Sequence, residues 1–228
     1  MFLPNIDSKT TGAMFQMAED YPHHCFPMMG LHPTSVRENY RDELTTIEKQ
    51  LDLPGIIAIG ETGIDLYWDK TYIGEQVEAF KAQIGWAKER GLPVVIHARK
   101  SFREIFQAMD DTGADRLTGV FHSFTGGAAE LDKALSYGFM IGINGIVTFK
   151  NSGLGETVRS IPPECLLLET DAPFLAPVPF RGKRNESRDL VHIAAKVGEI
   201  YNLTGEEVGA LTTRNALELF QISNPNGF

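Results

Sequence analysis

The stretch 165-CLLLETDAPF-174 decides the fold. Four apolar residues, Cys165 to Leu168, run into Glu169, Thr170 and Asp171, and Pro173 stops the segment. A short apolar run bounded in this way reads as a strand buried on both faces. A carboxylate held against a core costs several kcal/mol unless something pairs with it. The strand therefore calls for a cation near its end.

The same pattern recurs along the chain. Strand candidates are 2–6 (FLPNI), 25–32 (CFPMMGLH), 55–62 (GIIAIGET), 93–98 (PVVIHA), 118–124 (TGVFHSF), 139–147 (FMIGINGIV) and 165–170 (CLLLET). Helical patterns lie over 39–51, 73–90, 102–110, 129–137 and 191–201. Thr204 with Glu207 three residues on predicts a capped start for a last helix, which ends in TTRNALELF. Strand and helix in alternation, with strands apolar on both faces, predict an α/β fold with a parallel sheet covered by helices. An open doubly wound sheet usually carries a glycine-rich turn after its first strand, and none follows FLPNI. Polar residues recur instead at one strand end after another, which favours a TIM-type (β/α)8 barrel. Seven strands can be read where such a barrel has eight, so the barrel is expected to be incomplete, with its first βα unit absent.

The chain has 228 residues, 43% of them hydrophobic, enough for one domain spanning 1–228. It has no apolar run of ~18 residues and no signal-peptide pattern at its start. Cys25 and Cys165 read as reduced core residues. Together these features predict a cytoplasmic protein with no membrane contact. The net charge of −9 does not attract nucleic acid, so a phosphate substrate would need a local basic cluster or a metal.

Four strands deliver metal-type ligands: Glu61 in IAIGETG, His97 in VVIHAR, His122 in GVFHSF and Asp171 in LLLETDAP. Each residue alone has an ordinary structural reading as a core histidine, a helix cap or a turn former. Two imidazoles and two carboxylates at equivalent places predict a divalent-metal site suited to Zn, Mn, Fe or Mg.

The segments GLHP (30–33), AIGETGIDLYWD (58–69), VIHAR (95–99), FHSFTG (121–126), INGIVTFKNS (143–152) and LLLETDAPFLAPVPFRGKRNES (166–187) resemble the TatD family of metal-dependent deoxyribonucleases. The resemblance runs from about Phe2 to the terminal helix. It implies an amidohydrolase-like barrel, two divalent cations (Mg, Mn or Zn) and hydrolysis of DNA phosphodiesters, often from 3′ to 5′; a monomer is expected. Carried over by motif, Glu61 bridges the two metals. His97 and His122 hold the second metal, and Asp171 holds the first and orients or deprotonates the attacking water. His32 in GLHP is a candidate phosphate contact, as is Arg99. Asp65 and Tyr67 shape the pocket or the loop. Arg181, Lys183 and Arg184, with Arg188 close behind, form the expected phosphate grip.

Two departures from the family pattern carry expectations. The family's opening strand bears a His-any-His pair that ligates the first metal, and no such pair is found. His23 and His24 are adjacent and read as a solvated loop. The expectation is an N-terminally shortened form of a chain of about 260 residues, with a first metal site reduced to Asp171 and Glu61. The second is Ala98, where the family often has a small polar residue, and it is expected to change little. Rival readings are a hydrolase of another ester or amide, such as a mischarged tRNA, and a catalytically impaired nucleic-acid-binding relative.

Overall fold

The computed structural model describes residues 1–114 and 117–223. The chain divides into two compact units, one from Met1 to Val120 and one beginning at Phe121.

The first unit alternates strand and helix as the sequence predicts, with one further helix, α1, between its first two strands. Its elements are β1 (Phe2–Pro4), α1 (Thr11–Asp20), β2 (Phe26–Met28), α2 (Tyr40–Gln50), β3 (Ile59–Asp65), α3 (Ile73–Arg90), β4 (Val94–Arg99) and α4 (Phe102–Thr112). β1 pairs with β2 in parallel, Phe2 opposite Phe26. Met29 bridges to Ile59, and β3 pairs in parallel with β4, placing Gly63 opposite His97 and Asp65 opposite Arg99. The core is aliphatic and aromatic: Ile59, Ile64, Phe80, Ile84, Val94, Ile96, Ile105 and Met109 are all fully buried. α3 begins and ends where its periodicity predicts, and Gly91 closes it in the left-handed conformation.

β5 (Gly119–His122) carries the chain into the second unit. There follow α5 (Ala128–Ser136), β6 (Met140–Ile143), α6 (Leu154–Arg159), β7 (Leu166–Leu168), α7 (Leu190–Tyr201) and α8 (Gly205–Leu219). β6 and β7 are parallel, Ile141 opposite Leu166 and Ile143 opposite Leu168. Phe121 packs edge-on against Phe124 and Phe139 at the centre. The Nδ2 of buried Asn215 on α8 donates to the carbonyls of Pro163 and Leu166, tying that helix to the start of β7. Thr204 and Glu207 form the expected capping box, with Thr204 N–H donating to Glu207 Oε2 at 2.8 Å and Glu207 N–H to Thr204 Oγ1 at 3.2 Å.

Several boundaries differ from the sequence reading, each for a local reason. β3 starts at Ile59, not at 55, because Gly55 sits in a turn at φ 89°. It then runs on to Asp65, so Glu61 lies inside a strand. The run 139–147 stops being a strand at Ile143, where Asn144 Oδ1 accepts the Ile146 N–H and starts a 3-10 turn over Gly145–Thr148. β7 is only three residues long, and Cys165 belongs to the 3-10 turn before it. Two helices have no clear periodic signal: α1 buries only Thr11 and Met14, and α6, six residues long, buries only Leu154 and Val158. Both cysteines are free thiols; Cys25 is buried and Cys165 half-buried. His23 and His24 are exposed, as expected of a solvated loop. No helix among the described residues is long and apolar enough to cross a membrane.

Candidate metal centre

The metal-type residues fall into two clusters, one in each unit. In the first, β3 supplies Glu61 and β4 supplies His97, with His97 Nδ1 2.9 Å from Glu61 Oε1. Glycine makes this approach possible. Gly63, at φ 142°, lies opposite His97, and a Cβ there would sit 2.0 Å from the His97 carbonyl oxygen. At Gly30, two residues before His32, a Cβ would meet the Gly60 backbone at 2.8 Å. The glycines of GLH and GETG thus let β4 bring His97, and the segment after β2 bring His32, up to Glu61.

The other ring nitrogen of His97 is occupied. Its Nε2 lies 2.9 Å from Asp65 Oδ2, and the Asp65 side chain is 1% exposed. Asp65 Oδ1 accepts the backbone N–H groups of Tyr67 and Trp68. Burial opposes the charge of Asp65, but the hydrogen bonds from His97 and these two amides outweigh it and hold the carboxyl below the usual range. An ionised Asp65 can only accept, so the ring proton of neutral His97 belongs on Nε2. Nδ1 then directs a lone pair at the Glu61 side, the arrangement in which a carboxylate fixes the tautomer of a metal-ligating histidine.

His32 completes the group. An oxygen of Glu61 and a ring nitrogen from each of His32 and His97 lie within 4.8 Å of one another. The tautomer of His32 gives it a different role. Its Nδ1 accepts the Thr34 N–H at 3.1 Å, so neutral His32 keeps its proton on Nε2, 3.2 Å from Glu61 Oε1. His32 therefore faces Glu61 as a donor, the polarity that a phosphate contact requires. Its backbone is fixed by His32 N–H to the Ile6 carbonyl and by the Asn5 side chain to the Gly30 carbonyl. The donor set of Glu61 and His97, hard oxygen with neutral nitrogen at low exposure, fits a divalent cation.

The second cluster has the same logic. His122, the last residue of β5, places Nδ1 2.8 Å from Glu169 Oε2 and Nε2 3.6 Å from Asp171 Oδ1. Glu169 Oε1 also accepts the Ser123 N–H at 2.6 Å. Glu169 thus holds His122 with Nε2 turned toward Asp171. Asp171 lies beyond β7 in a turn closed by Phe174 N–H to its carbonyl, with φ 57°, a conformation aspartate tolerates.

The structure joins Glu61 with His97 and His122 with Asp171, and it adds Asp65 and Glu169 as their partners. From the sequence, Asp65 carried a pocket-shaping or loop role, of which its bonds to the Tyr67 and Trp68 amides show the second, and Glu169 carried none. The available signal was spacing: Glu169 stands two residues before Asp171, and Asp65 four after Glu61. Arg99 is exposed and stacked on Tyr67. Arg181 lies over Phe149 at 4.4 Å and lines a cavity of about 310 Å³ with Lys150 and Ser152. Lys183 and Arg184 are exposed on the same loop. Asn185, buried beside them, donates to the carbonyls of Thr170 and Phe174 and so pins the basic loop to the Asp171 turn.

The family model "TatD related DNase" matches residues 1–221. The chain belongs to the TatD-related DNase family. Among TatD relatives it is 37% identical over 218 residues to the uncharacterised metal-dependent hydrolase YabD of Bacillus subtilis, covering 95% of this chain and 85% of that protein. It is 32% identical over 226 residues to the 3′-5′ ssDNA/RNA exonuclease TatD of Erwinia amylovora, covering 96% and 87%. The solved TatD homologue YJJV of Escherichia coli superposes with a TM-score of 0.90 at 24% identity, over 97% of this chain and 86% of that one. The fold is therefore the α/β, TIM-type barrel of the TatD homologues, with seven strands among the described residues.

Proposed function

We propose that this TatD-family metal-dependent hydrolase cleaves phosphodiester bonds of DNA, from the 3′ end toward the 5′ end. The observation that carries the metal dependence is His97, whose Nε2 is taken by Asp65 while its Nδ1 meets Glu61. The nucleic-acid substrate is supported by the Erwinia amylovora relative named as a 3′-5′ exonuclease.

In this reading Glu61, His97, His122 and Asp171 are the metal ligands. Bound divalent cations supply Lewis-acid stabilisation of a phosphoryl oxygen. Asp65 and Glu169 hold the two imidazoles in one tautomer each. His32 donates from Nε2 to a phosphate oxygen. Asp171 orients the attacking water and takes its proton. Arg99, Arg181, Lys183 and Arg184 grip the backbone phosphates.

The test is hydrolysis of 5′-labelled single-stranded DNA with metal analysis of the same preparation. Excess EDTA is expected to abolish cleavage, and Mg²⁺ or Mn²⁺ to restore it. Asp171→Asn is expected to lose about two orders of magnitude or more in turnover while still binding DNA. Undiminished cleavage in EDTA, or wild-type turnover by folded Asp171→Asn, overturns the mechanism.

A further inference from the structure

The loop after β3 exposes two aromatic rings that the hydrolytic chemistry does not use. Trp68 is 69% exposed and Tyr67 47%. They meet edge to face, centroids 4.9 Å apart at 87°. Arg99 lays its guanidinium 4.0 Å from the Tyr67 centroid and 5.2 Å from that of Trp68, and Lys100 Nζ lies 5.2 Å from Tyr67. Trp68 and Arg37 also line a cavity of about 200 Å³, together with Asp65 and Asp69.

The rings are held in place. Asp65 accepts the N–H of Tyr67 at 2.8 Å and of Trp68 at 3.2 Å, and Leu66 N–H donates to the Arg99 carbonyl. The same Asp65 contacts His97 Nε2. The aromatic loop and the His97 side chain therefore share one carboxylate as anchor. Exposed aromatic faces leave apolar area in water. Cations beside them, in a chain of net charge −9, favour an anionic ligand with flat rings. A single-stranded nucleic acid has both. In a duplex, neighbouring base pairs cover both ring faces of every internal base, whereas each base of a single strand can turn a face to these rings.

We propose that Tyr67 and Trp68, backed by Arg99, form a base-stacking platform that selects single-stranded nucleic acid and seats a nucleotide beside His97. This rests on the nuclease reading above and adds the residues that choose the substrate's form. The platform ignores base identity, because every base has a face to stack.

The chain has two tryptophans, and Trp86 is buried with Nε1 bonded to Glu48, so a fluorescence change reports on Trp68. The full chain, in excess EDTA to prevent cleavage, is titrated with a thymidine 12-mer, with an abasic 12-mer of the same charge, and with the thymidine strand in blunt duplex. Quenching and tight binding are expected only with the thymidine single strand. Trp68→Ala should weaken that binding about tenfold or more and abolish the preference over the abasic strand, while Trp68→Phe should recover most of it. In the presence of Mg²⁺ or Mn²⁺, Trp68→Ala should raise KM with little change in kcat. Equal affinity for thymidine and abasic strands, absence of quenching, or unchanged binding by Trp68→Ala overturns the platform. If the wild type meanwhile still hydrolyses the single strand, the nuclease reading survives that failure. If it hydrolyses no nucleic acid with any divalent cation, both fall.

Discussion

At the scale of single residues, the proposed site rests on two carboxylates that hold its imidazoles. Asp65 sets the tautomer of His97, and Glu169 does the same for His122. Asp65→Asn keeps the shape but can place an amide donor against His97 Nε2, so the ring loses its acceptor. We expect Mn²⁺ affinity to fall about 10- to 100-fold with the fold retained, read by calorimetric titration against circular dichroism. Unchanged affinity would make Asp65 an anchor of the Tyr67–Trp68 loop alone. The depressed pKa of Asp65 has a consequence for stability as well. A carboxyl with a lower pKa folded than unfolded stabilises the fold above about pH 4, its ordinary value, and loses that contribution as pH falls through the folded pKa. The Asn variant should therefore show a shallower acid limb in a stability–pH profile.

At the scale of elements, α3 does more than cover the sheet. Gln76 and Gln83 lie on its buried face, 3% and 0% exposed. Gln76 Oε1 accepts the Asp65 N–H at 2.8 Å. Gln83 accepts the Leu31 N–H at 2.8 Å and donates to the Leu31 and Ala79 carbonyls. The helix thus stands in for a neighbouring strand at Leu31, the residue before His32. Gln83→Leu leaves a buried N–H and a buried C=O unpaired, at a cost of about 2 kcal/mol or more. Urea unfolding should show this as a lower midpoint at unchanged slope, and phosphodiester hydrolysis should drop because His32 loses its support. A stability change within ~0.5 kcal/mol would mean that water replaces the glutamine.

At the scale of the whole molecule, charge opposes the proposed substrate. Asp and Glu number 30 against 21 Lys and Arg. A DNA strand meets net repulsion at long range and attraction only where cations cluster, as on the loop carrying Arg181, Lys183 and Arg184. Binding should therefore depend on salt through a few local contacts. Arg184→Ala is expected to weaken single-strand binding and to reduce the slope of log K against log salt by about 0.7, the share of one phosphate contact. An unchanged slope would return Arg184 to the solvated surface.

The sequence by itself determined the order of the strands and of every helix except α1 and α6, the extent of α3, the cap at Thr204, and the residue types at Glu61, His97, His122 and Asp171. These are local matters: periodicity, turn chemistry and hydrogen bonds within a few residues specify them. The ends of β3, β6 and β7 were less legible, because a short apolar run is held as a strand only while a neighbour pairs with it. Asn144 and Gly55 end that pairing through side-chain capping and a left-handed turn. The partnerships Asp65–His97, Glu169–His122 and Gln83–Leu31 were not legible at all. They join residues 32, 47 and 52 positions apart. Only the packing of parallel strands and their covering helix brings such distant groups within 3 Å, and only there do burial and hydrogen bonding decide which nitrogen of each histidine keeps its proton.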